Sequence, residues 1–394
     1  MNHFEYDICI IGGCGHVGLP LALAFANKEK KVAIYDINED SIDLVKKGIM
    51  PFLECNAENI LKRVVNKNLI ISSELEIISK SKFIVIVIGT PIDKHLNPEL
   101  RPIKSLLSEI KPYLKNDQHV VLRSTVYPNT TEKIKNELEK YNKTLKISFC
   151  PERIAEGKAL EEFSGLPQIV SSFSELAIGE AKELFKILTD DIIVLTPLEA
   201  ELAKLFTNSW RYIQFSIANQ FYMLADQHEV DFYKIFNAIK YKYPRAKDFP
   251  KPGFTAGPCL LKDTMQISSF SNNSFFLGQS AMMVNEGMPN YIVQKLKKMF
   301  VLRNKSIGIL GMAFKADIDD IRDSLSYKLK KILEFEAKQV YCTDEYVVDE
   351  SLLSLSEVLD KSEVIILGVP HSRYKDIKID PDKILIDIWD FIER

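Results

Sequence analysis

The sequence lacks the roughly 18 consecutive apolar residues that a membrane-spanning helix needs, has no two cysteines spaced as CxxC, and carries little excess charge of either sign. The first absence excludes a helical membrane protein. The opening residues Met1-Asn-His-Phe-Glu-Tyr-Asp7 run straight into the apolar Ile8–Ile11, so no secretory leader is expected. The six cysteines, at 9, 14, 55, 150, 259 and 342, are scattered without metal-ligand spacing. No zinc site, no disulfide framework and no other metal is expected from that pattern. A reducing cytoplasm fits it best, and there a reactive thiol stays usable. A formal net charge of −3 gives no field to attract nucleic acid or an anionic membrane, and neither is expected as a partner.

What remains is a chain of 394 residues, 46% hydrophobic and 27% charged. That is the composition of a soluble globular protein, too long for one ordinary core and suited to two or three domains. In the first half, short apolar runs alternate with helical patterns, the signal of βαβ units and a parallel sheet. Strands are expected at Asp7–Ile11, Lys31–Tyr35, Phe83–Ile88, His119–Arg123, Leu145–Phe149 and Ile192–Leu195, with helices such as Leu19–Ala26 and Thr131–Lys140 between them. From Pro197 through Val230 the pattern reads as one long helix with proline in its first turn. Its surface is apolar over much of its circumference, which suits a helix that joins two domains and contacts another subunit. A second, smaller α/β pattern follows at Ser306–Leu310, Gln339–Cys342, Val364–Leu367 and Ile384–Ile386. The segment Tyr243–Ser280, rich in Pro, Gly, Ser and Asn, lies between the halves, and a cleft between two such sheets is the default ligand site.

Gly13-Cys-Gly15-His16-Val17-Gly18 follows the first strand and opens the first helix. Glycines there permit a tight turn and close backbone approach, so that helix N-terminal amides can hold a pyrophosphate. Asp36 ends the next strand, where a carboxylate accepts from a ribose 2′-OH and repels a 2′-phosphate. The cofactor expected is therefore NAD rather than NADP. Gly89-Thr90-Pro91 and Ser124-Thr125-Val126 leave two later strands. Their hydroxyls either meet the nicotinamide ribose or a catalytic water, or simply start turns and cap helices.

Cys259 stands in Pro252-Gly253-Phe254-Thr-Ala-Gly-Pro-Cys259-Leu-Leu-Lys-Asp263, a loop built for close backbone approach. In a chain that also carries a hydride acceptor, such a thiol suggests covalent capture of an aldehyde as a thiohemiacetal, whose carbon then loses a second hydride. Lys204 and Asn208, four apart on the long helix, share one face and form either an oxyanion hole or a solvated stripe. Glu152 and Glu156, just past a strand end, read as a general base or as surface carboxylates. Lys315 and Arg322, beyond the strand Ser306–Leu310, suit a second phosphate-bearing ligand or an ordinary loop.

Taken in order, these motifs resemble the UDP-glucose/GDP-mannose dehydrogenase family over nearly the whole chain. They are Gly13–Gly18 with Leu19-Pro-Leu-Ala, Thr90-Pro91, Ser124-Thr-Val126, Pro151-Glu152, Glu199-Ala-Glu-Leu-Ala-Lys-Leu with Asn208, the Pro252–Asp263 loop, and Gly311–Lys315 with Asp320-Ile-Arg322. The resemblance implies two Rossmann-like parallel-sheet domains of α/β class, joined by a long central helix along which a homodimer forms. The divisions it suggests are an NAD-binding domain at residues 1–196, a helical dimerisation domain with the cysteine loop at 197–300, and a UDP-binding domain at 301–394. It also implies four-electron oxidation of the C6 alcohol of a nucleotide sugar to the uronic acid, with two NAD, for polysaccharide precursors. Cys259 would be the nucleophile, Lys204 and Asn208 the oxyanion donors, and Asp263 an aid to the cysteine or a water. Thr125 with Glu156 or Glu152 would handle water and proton. The substrate side would be held by Glu152, Arg153, Lys204, Asn208, Arg245, Gly253, Phe254, Phe314, Lys315 and Arg322.

Arg153 and His371 stand where glucose-type members carry an aromatic residue and a tryptophan, and look more like the branch that oxidises N-acetylated hexosamines. Glu156-Gly157 resembles the glucose branch. Two other classes remain open at this point. A two-electron β-hydroxyacid dehydrogenase also uses a helix Lys/Asn pair but has no need of Cys259, and a silent nucleotide-sugar sensor would need no intact nucleophile.

Overall fold

The computed structural model describes residues 4–142, 144–255 and 257–393. The chain divides into two compact units, Met1–Phe206 and Thr207–Arg394, each with its own sheet. The first holds β1 (Tyr6–Ile11), β2 (Val32–Tyr35), β3 (Leu69–Ser72), β4 (Ser81–Ile86), β5 (His119–Leu122), β6 (Lys146–Phe149), β7 (Gln168–Ser172) and β8 (Ile192–Leu195). They lie in the order β3-β2-β1-β4-β5-β6-β7-β8. Alternate residues of β1 serve two cores: Ile8 and Ile10 pack with Leu19 and Leu23 on one face, Cys9 and Ile11 with Ile84 and Ile86 on the other. A sheet buried on both faces explains why its strands read as continuous apolar runs. The order reverses at β1, so its carboxyl end and that of β4 flank the fingerprint turn.

Two features depart from expectation. β3 and β7 are additional strands, and β7 runs antiparallel to β6, with Ser148 opposite Ser172. The polar residues of β7 are buried, because Ser171 and Ser172 donate their hydroxyl protons to the carbonyls of Phe149 and Ile147. A run of Gln and Ser therefore fills a core position without looking apolar.

The second unit contains β9 (Ser306–Leu310), β10 (Gln339–Thr343), β11 (Val364–Leu367) and β12 (Ile384–Ile386), all parallel and ordered β10-β9-β11-β12. This repeats the β2-β1-β4-β5 half of the larger sheet. Its core joins Ile307 and Ile309 to Leu329 and Leu333 of helix Leu325–Glu336 and to Met288, Ile292 and Leu296 of helix Phe276–Met299. The Pro/Gly/Ser/Asn-rich stretch is more ordered than its composition suggests: it contains helix Leu260–Phe270 and the start of helix Phe276–Met299, which carries Pro289 in its interior.

The long helix spans Pro197–Gln227, 31 residues. At its start, Thr196 donates from both its N–H and its hydroxyl to Glu199. It stops before Val230 because Glu229 turns left-handed (φ 55) and the Val230 N–H closes back on the Ala225 carbonyl, a capping turn that satisfies a terminal acceptor.

Candidate active site

The fingerprint turn is close-packed where it must be and open where a ligand would lie. Gly12, outside the GxGxxG spacing, takes φ +76, and a Cβ on it would fall 2.6 Å from the Val87 carbonyl oxygen. A Cβ on Gly18 would lie 2.3 Å from the Gly12 oxygen, whereas one on Gly15 would meet nothing nearer than 3.6 Å. Helix Gly18–Asn27 begins here, with Val17 at its N-cap, and presents the positive end of its dipole where a pyrophosphate would lie. Asp36 is buried. One of its oxygens accepts from Cys14 N–H at 2.8 Å and the other from the N–H groups of Ile37 and Asn38. The acid thus locks the turn, and its Oδ2 keeps one lone pair that a ribose hydroxyl could use. These residues fit NAD. His16 stacks on Phe52 with ring centroids 4.2 Å apart.

The later strand ends are tied together. The Ser124 hydroxyl donates to the Ile88 carbonyl at 2.7 Å and the Thr90 hydroxyl to the Thr125 carbonyl at 2.6 Å. Pro91 accepts at its carbonyl from Glu99 N–H. Two loops near the fingerprint are also joined, since Glu54 accepts from Gly157 N–H at 3.0 Å.

Glu152 and Glu156 are separated by their surroundings. Glu152 is buried: one oxygen takes the Arg123 guanidinium, Nε at 2.8 Å and Nη2 at 2.5 Å, and the other takes the N–H groups of Arg153 and Ile154. Four donors fill a carboxylate's capacity, so Glu152 anchors its loop and has no lone pair left for a water's proton. Glu156 is partly exposed in the same loop. Arg153 folds back, donating to the Pro167 carbonyl.

Lys204 is buried in the first unit's part of the long helix and Asn208 is buried one turn on, in the second unit's part. The Asn208 amide donates to Asp263 Oδ2 at 2.6 Å, which leaves its second N–H available. Asp263 is fully buried, with Lys262 Nζ 3.4 Å from its other oxygen. Cys259 is the N-cap of helix Leu260–Phe270, and its carbonyl accepts from Asp263 N–H. The partial positive charge of a helix start is an environment that favours a thiolate. Of six cysteines, only Cys55 and Cys259 are exposed. Burial pushes the thiols of Cys9, Cys14, Cys150 and Cys342 up to about 12, which leaves them inert.

The loop before Cys259 is fitted to its neighbours. Gly253 donates from its N–H to Asn219, whose amide reaches Asn285, and Asn285 in turn donates to the Tyr212 carbonyl. Gly257 takes φ +103, and a Cβ there would fall 2.6 Å from the Phe314 ring. Ala256 lies outside the described residues. Phe254 is a core residue beside Met288 and Ile292 rather than an exposed one. Arg245 is exposed and stacks on Tyr243.

In the second sheet, Asp344 at the end of β10 occupies the place that Asp36 holds in the first. It accepts from the N–H groups of Met312 and Ala313 at 2.6 and 2.9 Å, and from His371 Nε2 at 2.9 Å. His371 Nδ1 accepts from Asp317 N–H at 2.9 Å, so the neutral ring carries its proton on Nε2. His371 therefore clamps the loop that bears Lys315 instead of facing a ligand. Within that loop the Arg322 guanidinium is chelated by Asp320, Nε to both oxygens at 3.0 and 2.8 Å. Asp344, Asn219, Asn285, Arg123 and Glu54 are positioning residues that the motifs did not single out. Asp344 alone had a signal, as an acid closing the second strand after a glycine turn, as Asp36 does.

A glycine-rich turn opening a helix beside a buried acid, and an exposed thiol at a helix start, are features that suit an NAD-dependent oxidoreductase. Models of the UDP-glucose/GDP-mannose dehydrogenase family match at residues 6–189 (NAD binding domain), 198–286 (central domain) and 308–394 (UDP binding domain). The chain belongs to that family, and its substrate is a nucleotide sugar. Among curated relatives, the UDP-N-acetyl-D-mannosamine dehydrogenase of Methanococcus maripaludis is 31% identical over 397 residues, 96% of this chain and 90% of that one. The enzyme of the same name from Methanocaldococcus jannaschii is 29% identical, covering 95% and 88%. Among solved structures, the UDP-D-ManNAc dehydrogenase of Pyrococcus horikoshii superimposes with a TM-score of 0.91 at 27% identity, covering 98% and 96%. A UDP-glucose dehydrogenase from Pyrobaculum islandicum has the same fold, with a TM-score of 0.89 at 24% identity, covering 98% of each chain. No helix among the described residues is long and apolar enough to cross a membrane.

Proposed function

We propose that the chain oxidises the C6 alcohol of a UDP-linked N-acetylhexosamine, of the UDP-N-acetylmannosamine type, to the uronic acid in two hydride steps. The observation that carries this reading is an exposed Cys259 at a helix start, one turn before a buried Asp263 that holds the Asn208 amide. The names of the relatives support the N-acetylmannosamine branch, as does an arginine at 153 rather than an aromatic residue. NAD, when bound, accepts the hydrides.

The chain's own residues supply the rest. The Cys259 thiolate adds to the C6 aldehyde to form a thiohemiacetal, whose oxyanion Lys204 and the second N–H of Asn208 stabilise. After the second hydride leaves, the carbon is a thioester, and water breaks the C–S bond to release acid and thiol. Glu156 with Thr125 handles that water, since Glu152 is committed to Arg123. Lys315, and Arg322 once drawn from Asp320, hold the diphosphate. Asp263 orients Asn208.

A homodimer in the cytoplasm completes the reading. Trp210, Ile217 and Leu224 are exposed at intervals of seven along the long helix, with Phe221 between them. A groove of about 530 Å³ lined by Trp210, Ile217, Phe221 and Arg245 runs beside them. An apolar seam with this spacing is the pattern by which one helix packs on another.

The test is a panel of UDP- and GDP-sugars with NAD, counting NADH per sugar. Two NADH from the N-acetylmannosamine substrate are expected, and a Cys259→Ser protein that binds NAD but releases no uronic acid. One NADH per sugar, or full acid production by Cys259→Ser, sinks the covalent mechanism.

A further inference from the structure

The helix Thr130–Tyr141 has an unusual start. Its N-cap, Asn129, is left-handed (φ 68, ψ 12), and its side chain makes no capping hydrogen bond. The cap arrives from a residue far along the chain. Glu201, on the long helix and 1% exposed, accepts from Asn129 N–H at 2.6 Å, from Thr131 N–H at 2.8 Å and from the Thr131 hydroxyl at 2.6 Å. The long helix has no need of Glu201 for its own start, because Glu199 already caps it through Thr196. A buried carboxylate at a foreign helix N-terminus meets orphan amides and the positive end of a dipole. It is a joint between two elements.

What the joint connects is more telling than the joint. On one side, the capped helix follows directly from the turn that carries Ser124 and Thr125, itself pinned through the Ile88 and Thr125 carbonyls. On the other, Lys204 lies three residues after Glu201 and therefore on the same helical face, and it too is buried. A rotation of the long helix about its axis would break all three bonds at once and swing Lys204 with it. We infer that Glu201 is a positioning residue that holds the Thr125 turn in register with Lys204, an assignment that rests on the reaction proposed above.

A glutamine at 201 keeps the shape but turns a donor toward one of the three donors it must face, leaving a buried N–H unpaired. Glu201→Gln is expected to lower kcat on the order of tenfold to a hundredfold, the scale of a small misplacement of reacting groups, while KM for the sugar and NAD affinity stay within about twofold. Thr131→Val removes only the hydroxyl donor. It is expected to lower kcat about threefold, and to add little in the double variant, because both act on one junction. If Glu201→Gln does not fold, Thr131→Val carries the test with the same kcat-against-KM split.

Unchanged kcat in the folded variants, even with a lowered melting temperature, makes Glu201 a stability residue and overturns the inference. Equal losses in kcat and in both affinities also overturn it. A wild-type protein that oxidises no nucleotide sugar fails the underlying reaction instead, and is told apart because it fails before any variant is made.

Discussion

Arg123 illustrates how a single side chain decides what its neighbour can do. Its guanidinium lies nearly fully buried, stacked 4.6 Å from the Phe185 ring, and donates to Glu152, Gln168 and the Cys150 carbonyl. A charge taken out of water this completely is tolerated only with its partners in place. Arg123→Met, of similar length, strands the Glu152 carboxylate in the interior. A loss of about 3–5 kcal/mol in urea unfolding is expected, far more than for an exposed pair such as Lys62 with Glu58. The sequence marked Glu152 as a candidate base because an acid after a strand end is where such bases sit. Spacing places Arg123 only at the end of its strand, and its ion pair joins positions 29 apart, a distance over which spacing says nothing. The glycine fingerprint and Asp36 were legible because the constraint is local: the turn, the helix start and the acid follow one another along the chain. Cys259 was legible for a related reason, in that a Gly/Pro-rich loop advertises close backbone approach.

At the scale of elements, the readable strands were those whose residues are apolar in sequence as well as buried. β3 escaped because Leu69-Ile-Ile is a short run set in polar surroundings, and β7 because its serines, polar in sequence, are buried by donating to the Phe149 and Ile147 carbonyls of β6. The long helix was legible from its first turn, while its end depended on a left-handed Glu229 that carries no glycine signal. The loop after β9 is a different case, since it is held by a clamp assembled from three strand ends. Burial pushes the Asp344 carboxyl up, but the His371 side chain, and then the amides of Ala313 and Met312, pull it further down, so that it ends below the usual aspartate range. A carboxylate whose folded value is depressed contributes stability that is present above its unfolded value, about 3.9, and is lost as pH falls through the folded one. Thermal unfolding of the wild type is therefore expected to weaken below about pH 4 by more than in Asp344→Asn. The variant starts lower at neutral pH and loses less on acidification. Parallel pH dependences for the two proteins would show that Asp344 carries no such share.

At the scale of the whole molecule, the exposed seam on the long helix is the feature that most needs an explanation. Trp210 is 60% exposed and Phe221 45%, and single apolar residues at a surface are ordinary whereas an aligned row is not. A two-fold dimer buries such a row against itself. Sedimentation velocity of the wild type is expected to give about twice the 45.0 kDa of the chain. Trp210→Glu with Phe221→Glu is expected to give a monomer that still binds NAD. A wild type that sediments as a monomer at every concentration removes the dimer. The class of fold and the order of its parts were readable from motif order; the seam was readable only as a general apolarity, because exposure is a property of the packed state.

The distribution of sulfur has a practical consequence for anyone wishing to tag this enzyme. With four thiols sealed in apolar surroundings, an electrophile added to the native protein finds only Cys55 and Cys259. Replacing Cys55 by serine leaves one addressable sulfur, so a dye or a mass label attached under native conditions reports on Cys259 alone. Substrate protection then becomes a direct view of occupancy at that atom, without following the reaction.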